Sequence, residues 1–247
     1  MKCILLMALA LNPFTYDLHL TKKTGRDSKT LIVAHGLGGD SQIIKTINSP
    51  KTLVSFNFPQ NNSEIYGTIN EILPLIYVIK KSVIEEGQHE IDLYGYSAGG
   101  AAVINALAIL NTNRFDEDLK KIEVGLKEKK ILLEAIQKGM VILDSPLKSI
   151  QEIIDTHGNN DNLQKAQKRY QDNDLVPIEA LKYLEGLALN IIISFQNPDE
   201  VLSNRDDELF ISRLKKYNVK GITKVIRGGS GHHLPHDLLW MQLYKSF

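Results

Sequence analysis

The segment from Gly95 to Gly99 reads Gly-Tyr-Ser-Ala-Gly and places a serine between two glycines. An apolar run, Ile91 to Tyr94, precedes the segment, and small apolar residues suited to a buried helix follow it. A serine at a sharp turn from strand to helix is exposed and can act as a nucleophile. Glycine is needed on both sides because side chains would collide where backbone approaches backbone. The pentapeptide alone does not exclude an ordinary Gly/Ser turn.

A serine hydroxyl is a poor nucleophile at neutral pH and needs a base within hydrogen-bond reach and a group that orients the base. The segment after the last predicted strand is rich in glycine and histidine, and there His232 directly follows a glycine. The preceding predicted strand is followed by Asp199. These two residues are the candidates for base and acid. The alternatives that stay open are His233 for the base, and Asp144 or Glu200 for the acid.

The chain order Ser97, Asp199, His232, together with the glycine-rich loop from His35 to Gly39, resembles that of the α/β-hydrolase superfamily. The resemblance covers the chain from about residue 14 to the end. It implies that Ser97 attacks a carbonyl carbon and that His232 takes the proton and later returns it to the leaving group. It further implies that Asp199 holds the imidazole and stabilises its charged form.

The same resemblance implies an oxyanion hole, formed by the backbone N–H of Ala98 and one N–H from the loop that begins at His35. The loop reads His-Gly-Leu-Gly-Gly and not the His-Gly-Gly-Gly of many lipases and esterases. Leu37 is therefore the first candidate for the second donor, and Gly38 is the alternative. His35 itself is expected to organise this loop.

These residues imply a serine hydrolase that cleaves a carboxylic ester, thioester or similar acyl bond through an acyl-enzyme intermediate, with a small-molecule acyl substrate as its partner. The same residues would also serve an acyltransferase. A third hypothesis is a non-catalytic binding protein that keeps the α/β-hydrolase fold. No cofactor is implied, and no spacing of ligand residues resembles a metal site.

Positioning these groups requires a sheet, and the sequence predicts one. Apolar strands alternate with helices from residue 30 onward, which indicates an α/β protein with a mostly parallel central sheet and helices on both faces. Strands are predicted over 14–20, 30–34, 53–58, 91–94, 140–143, 190–195 and 219–226. Helices are predicted over 41–47, 69–86, 98–111, 115–138, 206–217 and a closing segment through residue 240. Pro74 is expected to kink the helix of 69–86 or to delay its start.

The whole chain, 1–247, is interpreted as a single α/β-hydrolase domain, because no boundary or repeat interrupts it. Within it, 145–188 is mostly helical and polar and could form a small cap over the site. The amphipathic pattern of 115–138 predicts one long surface helix, with a lid or a partner surface as the alternative.

Composition excludes some other classes. The chain has 29 basic and 29 acidic residues, so a nucleic-acid partner is not expected. Its single cysteine, Cys3, allows no internal disulfide. The apolar N-terminus, Met1 to Leu11, is shorter than the roughly 15–30 residues of a secretory signal. No apolar run approaches the roughly 18 residues of a membrane span, so we expect a cytoplasmic protein without stable membrane insertion, with secretion as the alternative. Nothing in the sequence indicates an oligomeric state.

Overall fold

The computed structural model describes residues 20–58, 66–218, 221, 223–228, 231 and 232. Its strands are β1 (Thr21–Lys23), β2 (Thr30–Ala34), β3 (Thr52–Ser55), β4 (Ile91–Tyr96), β5 (Met140–Asp144), β6 (Asn190–Phe195) and β7 (Thr223–Arg227). Its helices are α1 (Ile69–Lys80), α2 (Ala98–Leu110), α3 (Asp116–Lys120), α4 (Leu126–Lys138), α5 (Ile150–His157), α6 (Asp161–Asp172), α7 (Pro177–Ala180) and α8 (Asp207–Tyr217). Short 3₁₀ helices span Ser41–Lys45 and Leu181–Leu184, and a π-helical turn spans Lys81–Glu85.

The strands form one mixed sheet in the order β1-β3-β2-β4-β5-β6-β7. Strand β1 pairs with β3 in antiparallel orientation, and every other neighbouring pair is parallel. The prediction of a mostly parallel sheet in an α/β fold is therefore confirmed. Because the carboxyl ends of parallel strands meet at one edge, the loops after β2, β4, β5, β6 and β7 lie along the same side of the sheet.

Each buried strand sends alternate side chains to opposite faces, so the sheet divides the core into two layers. Helices α1, α2, α4 and α8 supply apolar side chains to the larger layer, which holds Ile32, Leu93, Val141 and Ile193. The other layer holds Leu31, Tyr94 and Ile142 together with Ile44 of the first 3₁₀ helix. Strands covered on both faces read as continuous apolar runs, which explains why β2 and β6 have the bounds that the sequence predicts.

Other boundaries differ from the predictions. The strand predicted over 53–58 is the shorter β3, and the strand predicted over 219–226 is β7, which extends to Arg227. The edge strand predicted over 14–20 and the closing helix lie outside the described residues, apart from Leu20, which is not in a strand. Edge strand β1 spans Thr21–Lys23, between the strands predicted over 14–20 and 30–34, where no strand is predicted. Helix α1 runs through Pro74 from Ile69, so a delayed start is wrong.

The prediction of one long helix over 115–138 is wrong, because this segment forms two helices, α3 and α4. Glu123 takes a left-handed backbone conformation, with φ of 56°, which an α-helix cannot contain. A new helix then begins after Gly125, whose N–H donates to the Glu128 side chain at 3.0 Å. Buried residues of α4, such as Leu132 and Ile136, belong to the larger core layer, so this helix is part of the layer that covers the sheet.

A buried ion cluster centred on Lys148 joins the loop after β5 to helices α5 and α8. The Lys148 Nζ lies 2.6 Å from an oxygen of Glu152 in α5 and 2.9 Å from an oxygen of Asp207 in α8. It also lies 5.1 Å from the ring centre of Phe195 at the end of β6. Burial raises the pKa of both carboxyl groups, that of Glu152 to about 7, although Lys148 opposes the shift. Arg227 lies 3.7 Å from the other oxygen of Asp207, so Lys148 is the cation that joins the two carboxyl groups.

We expect Lys148→Met to lower the free energy of unfolding by about 3–5 kcal/mol, because it leaves two buried carboxyl groups without the cation between them. Urea denaturation at a pH above 7 measures the change. Lys168→Met is the matched control, since Lys168 is exposed and its ion pair with Asp172 lies within one helix. That control should change stability by less than about 1 kcal/mol. Equal effects of the two variants would show that the cluster contributes no more than a surface pair.

Candidate active site

Ser97 is the single residue between the end of β4 and the start of α2. Its backbone angles, φ 53° and ψ −117°, lie in a region that residues other than glycine rarely adopt. A Cβ at Gly95 would lie 2.6 Å from the carbonyl oxygen of Gly99, and a Cβ at Gly99 would lie 2.1 Å from that of Ala34. The collision predicted for side chains at these two glycines is therefore confirmed. The strained turn holds the serine above the edge of the sheet.

The structure brings Ser97, His232 and Asp199 together from the ends of three different strands. The Ser97 Oγ lies 3.0 Å from the Nε2 of His232. The His232 Nδ1 lies 2.8 and 2.9 Å from the two carboxylate oxygens of Asp199. A ring nitrogen facing a carboxylate carries the proton, which leaves Nε2 free to accept the serine hydroxyl. The geometry allows His232 to act as a base toward Ser97.

Backbone hydrogen bonds fix the Asp199 carboxylate. One of its oxygens accepts the N–H groups of Val201 at 2.8 Å and Leu202 at 2.9 Å. The N–H of Gly231, directly before the histidine, donates to the carbonyl of Pro198 at 3.2 Å. Gly231 has a φ of 115°, which favours glycine at that position. The loops that carry the acid and the base are therefore joined by a backbone hydrogen bond as well as by the contact between the Asp199 and His232 side chains.

Asp144, one alternative for the acid, has a different environment. Its carboxylate is fully buried and accepts hydrogen bonds from the Tyr94 hydroxyl at 2.9 Å and the Ser194 hydroxyl at 2.6 Å. Burial, reinforced by this carboxylate, raises the pKa of Tyr94. The backbone carbonyl of Asp144 accepts the N–H of Ser97 at 2.9 Å, so the residue supports the turn. Of the acid alternatives, Glu200 is exposed. His233 lies outside the described residues.

The glycine-rich loop after β2 is held by His35. The N–H of Phe58 approaches the Nε2 of His35 at 3.4 Å, so Nε2 is the acceptor and Nδ1 carries the proton. Nδ1 then donates to the carbonyl of Gly36 at 2.8 Å, and the same carbonyl accepts the N–H of Gly39 at 3.1 Å. Burial lowers the pKa of His35, which favours this neutral form. His35 therefore organises the loop, as its position in the sequence suggests.

A cavity of about 540 Å³ opens beside the serine. Ser97, Ala98, Leu37 and His232 all line it. Most of its remaining wall is apolar and comes from α5, α6 and the loops beside them: Leu147, Ile150, Ile153, Leu163, Ala166, Val201 and Leu202. An organic group attached to a carbonyl at Ser97 would thus be surrounded mainly by apolar side chains. Neither α3 nor α4 contributes a residue to the described lining.

Several polar residues of the site were not singled out in the sequence. Tyr66, Glu71 and Tyr170 also line the cavity, and Glu71 is 2 % exposed. Their sequence context carries no motif. The one available signal is that Glu71 shares a helix face with Leu75, four residues later, which helical spacing turns toward the core. A charged residue on a buried helix face indicates a specific partner, and here Tyr170 is that partner at 2.8 and 2.9 Å.

In the described part of the chain, no helix combines the length and apolar character that crossing a membrane requires. Across the same residues, His, Cys, Asp and Glu side chains form no group of three or more that could hold a metal ion.

No family model matches the sequence, and no curated protein sequence matches it. Several solved structures, in contrast, are similar to this chain. Esterase B from Lactobacillus rhamnosis has a TM-score of 0.63 at 12% identity, over 94% of this chain and 85% of that one. A lipase/esterase from Lactobacillus plantarum has a TM-score of 0.63 at 13% identity, over 93% of each chain. A monoacylglycerol lipase from Paleococcus ferrophilus has a TM-score of 0.57 at 15% identity, over 94% of this chain and 100% of that one.

The identities are low, but the overlap extends along nearly all of each chain. The similarity agrees with the mostly parallel mixed sheet and the helices that cover it. The chain therefore has the α/β-hydrolase fold.

Proposed function

We propose that this protein is a serine hydrolase that cleaves a carboxylic ester, thioester or similar acyl bond of a small molecule. The observation that carries the proposal is the continuous contact from Ser97 Oγ through His232 to the carboxylate of Asp199, which lies at a mainly apolar cavity. The similar solved structures, described as esterases and lipases, favour an ester over a peptide bond.

In the proposed reaction, Ser97 Oγ forms a bond to the carbonyl carbon while its proton moves to Nε2 of His232. The tetrahedral intermediate collapses, the bond to the leaving group breaks, and His232 gives that proton to the departing oxygen or sulfur. Water then attacks the acyl-enzyme, and His232 takes a proton from the water and returns it to Ser97 Oγ. Asp199 stabilises the imidazolium in both halves of the reaction. An alcohol in place of this water would make the reaction an acyl transfer.

The backbone N–H groups of Ala98 and Leu37 are the proposed oxyanion donors. Ala98 is the first residue of α2, where the helix dipole favours negative charge. The case for Leu37 over Gly38 rests on the Gly36 carbonyl, which two hydrogen bonds hold in place. Because a peptide unit is planar and trans, fixing that carbonyl also fixes the N–H of Leu37 in the opposite direction.

Helices α5 and α6 are proposed to form a small cap within 145–188, as part of a single domain. Both contribute apolar side chains to the cavity that holds Ser97, including Ile150, Ile153 and Leu163. Their position between β5 and β6 is an insertion at the carboxyl edge of the sheet. The cap would surround the organic part of the substrate and limit the access of bulk water to the acyl-enzyme.

A fluorophosphonate probe, which reacts with activated serines, tests the proposal. We expect it to label the folded wild-type protein at Ser97 and to leave Ser97→Ala unlabelled. Ser145→Ala is a matched control, because Ser145 follows β5 as Ser97 follows β4, is buried, and has a positive φ of 42°. That variant should be labelled like the wild type. An unlabelled, folded wild-type protein would contradict the proposal and favour a non-catalytic binding role.

A further inference from the structure

The cavity beside Ser97 contains one carboxyl group among its described lining residues, that of Glu71 near the start of α1. The same carboxyl borders a narrow space shared with Leu37 and Ala98, the proposed oxyanion donors. Glu71 thus lies on the side of the cavity where the carbonyl of a bound substrate would sit. The serine chemistry proposed above makes no use of this residue.

The hydrogen bonds that Glu71 receives in the described structure do not fill its acceptor capacity. One of its oxygens accepts the N–H of Gly67 at 2.8 Å. The hydroxyl of Tyr170 lies 2.9 Å from one oxygen and 2.8 Å from the other, but it has a single proton to donate. A carboxylate offers about four acceptor positions, so two donors leave about half of them open.

An incompletely satisfied carboxyl in an apolar setting is costly, and a donor from a ligand would reduce that cost. Burial is the main reason that the pKa of Glu71 is raised to about 7. Near neutral pH the group can therefore accept a hydrogen bond as a carboxylate or donate one as an acid. A hydroxyl matches both forms, whereas an ammonium group would itself have to be desolvated in a mainly apolar cavity.

We propose that Glu71 is a specificity-determining residue that binds a hydroxyl group on the acyl chain of the substrate, so that the preferred substrates are hydroxyacyl esters. The inference rests on the serine hydrolase function proposed above. Tyr170, from the cap, donates to the carboxyl and orients it, while the remaining acceptor positions receive the substrate hydroxyl.

Matched p-nitrophenyl esters test the proposal, because each pair differs only by a hydroxyl. The pairs are 3-hydroxybutyrate with butyrate, and 3-(4-hydroxyphenyl)propanoate with 3-phenylpropanoate. For at least one pair we expect kcat/KM of the wild type to favour the hydroxyl ester by about tenfold to hundredfold, as for a hydrogen bond to a charged group. In Glu71→Met, which cannot make this bond, that ratio should fall to about 1.

Two further variants separate recognition from a merely structural role. Glu71→Gln keeps the size of the side chain and should lower the ratio even if Glu71→Met does not fold. Tyr170→Phe removes the donor from the cap but keeps the carboxyl, which the N–H of Gly67 still contacts, so it should reduce the preference less than Glu71→Gln does. If Glu71 only anchors the cap, both variants will lower thermal stability and neither will change the ratio, which would overturn the proposal.

The remaining outcomes are also decisive. Wild-type hydrolysis of both members of each pair at equal kcat/KM would overturn the role of Glu71 while leaving the serine hydrolase function intact. Preference for a 3-aminobutyrate ester over the 3-hydroxybutyrate ester would overturn it in favour of a cation site. Failure to hydrolyse any of these esters, together with absence of fluorophosphonate labelling, would instead overturn the proposed function and this inference with it.

Discussion

Replacing Ser97 by alanine is expected to lower kcat for p-nitrophenyl butyrate by about 10⁶-fold, the size of effect known for removal of the nucleophile from a Ser-His-Asp site. The variant has no oxygen to form the acyl-enzyme, so only binding and the proposed oxyanion donors, Ala98 and Leu37, remain to assist attack by water. Release of p-nitrophenol under saturating substrate measures the rate, and KM should change little because the hydroxyl contributes little to binding.

The structure of Ser97→Ala should be unaffected. Alanine retains the Cβ, so the strain of the turn at φ 53° is no greater than in the wild type. Adding His232→Ala to this variant should cost little more, because residues that act as a unit do not have additive effects. A kcat for Ser97→Ala within tenfold of the wild type would contradict the assignment of the nucleophile.

The sequence predicts the sheet well where strands are buried on both faces. β2 and β6 are continuous apolar runs, and a run of this kind has few other places in a fold. The glycines at 95 and 99 also reveal the turn, because the need for close backbone approach is local to the pentapeptide. Local physical constraints of this type can be read without knowledge of the remaining chain.

Features that depend on tertiary contacts could not be read in this way. The break between α3 and α4 depends on burial of Ile122 and Val124 against the core, which overrides a helical pattern that continues on both sides. Edge strand β1 has three residues and little apolar character, so its pairing with β3 is its only signature. The cavity likewise depends on where the helices of 145–188 pack.

The choice between Asp199 and Asp144 shows the same division. Both residues follow a buried strand, so the sequence leaves them as alternatives. Strand register places Asp144 opposite Ser194, whose hydroxyl it accepts. The turn at 199–202 holds the other carboxylate against His232. Strand register and loop geometry give the two carboxylates different partners. Neither property can be inferred from the fact that both residues are aspartates.

Asp199→Asn is expected to lower kcat by about 10⁴-fold while leaving the protein folded. The amide is nearly the same size, and its oxygen can still accept the N–H groups of Val201 and Leu202. It cannot provide the negative charge that stabilises the imidazolium, and its NH₂ group favours the histidine tautomer with the proton on the nitrogen facing Ser97. Saturation kinetics with p-nitrophenyl butyrate measures the loss, and circular dichroism checks the fold.

Two comparison variants make the result specific to Asp199. Glu200→Gln removes a charge from the next residue of the same loop, where the side chain is exposed, and should leave kcat within about twofold of the wild type. Asp144→Asn removes the carboxylate that Tyr94 and Ser194 contact, so we expect it to reduce stability more than turnover per folded molecule. If folded Asp144→Asn lost as much kcat as Asp199→Asn, the acid would have to be reassigned to Asp144.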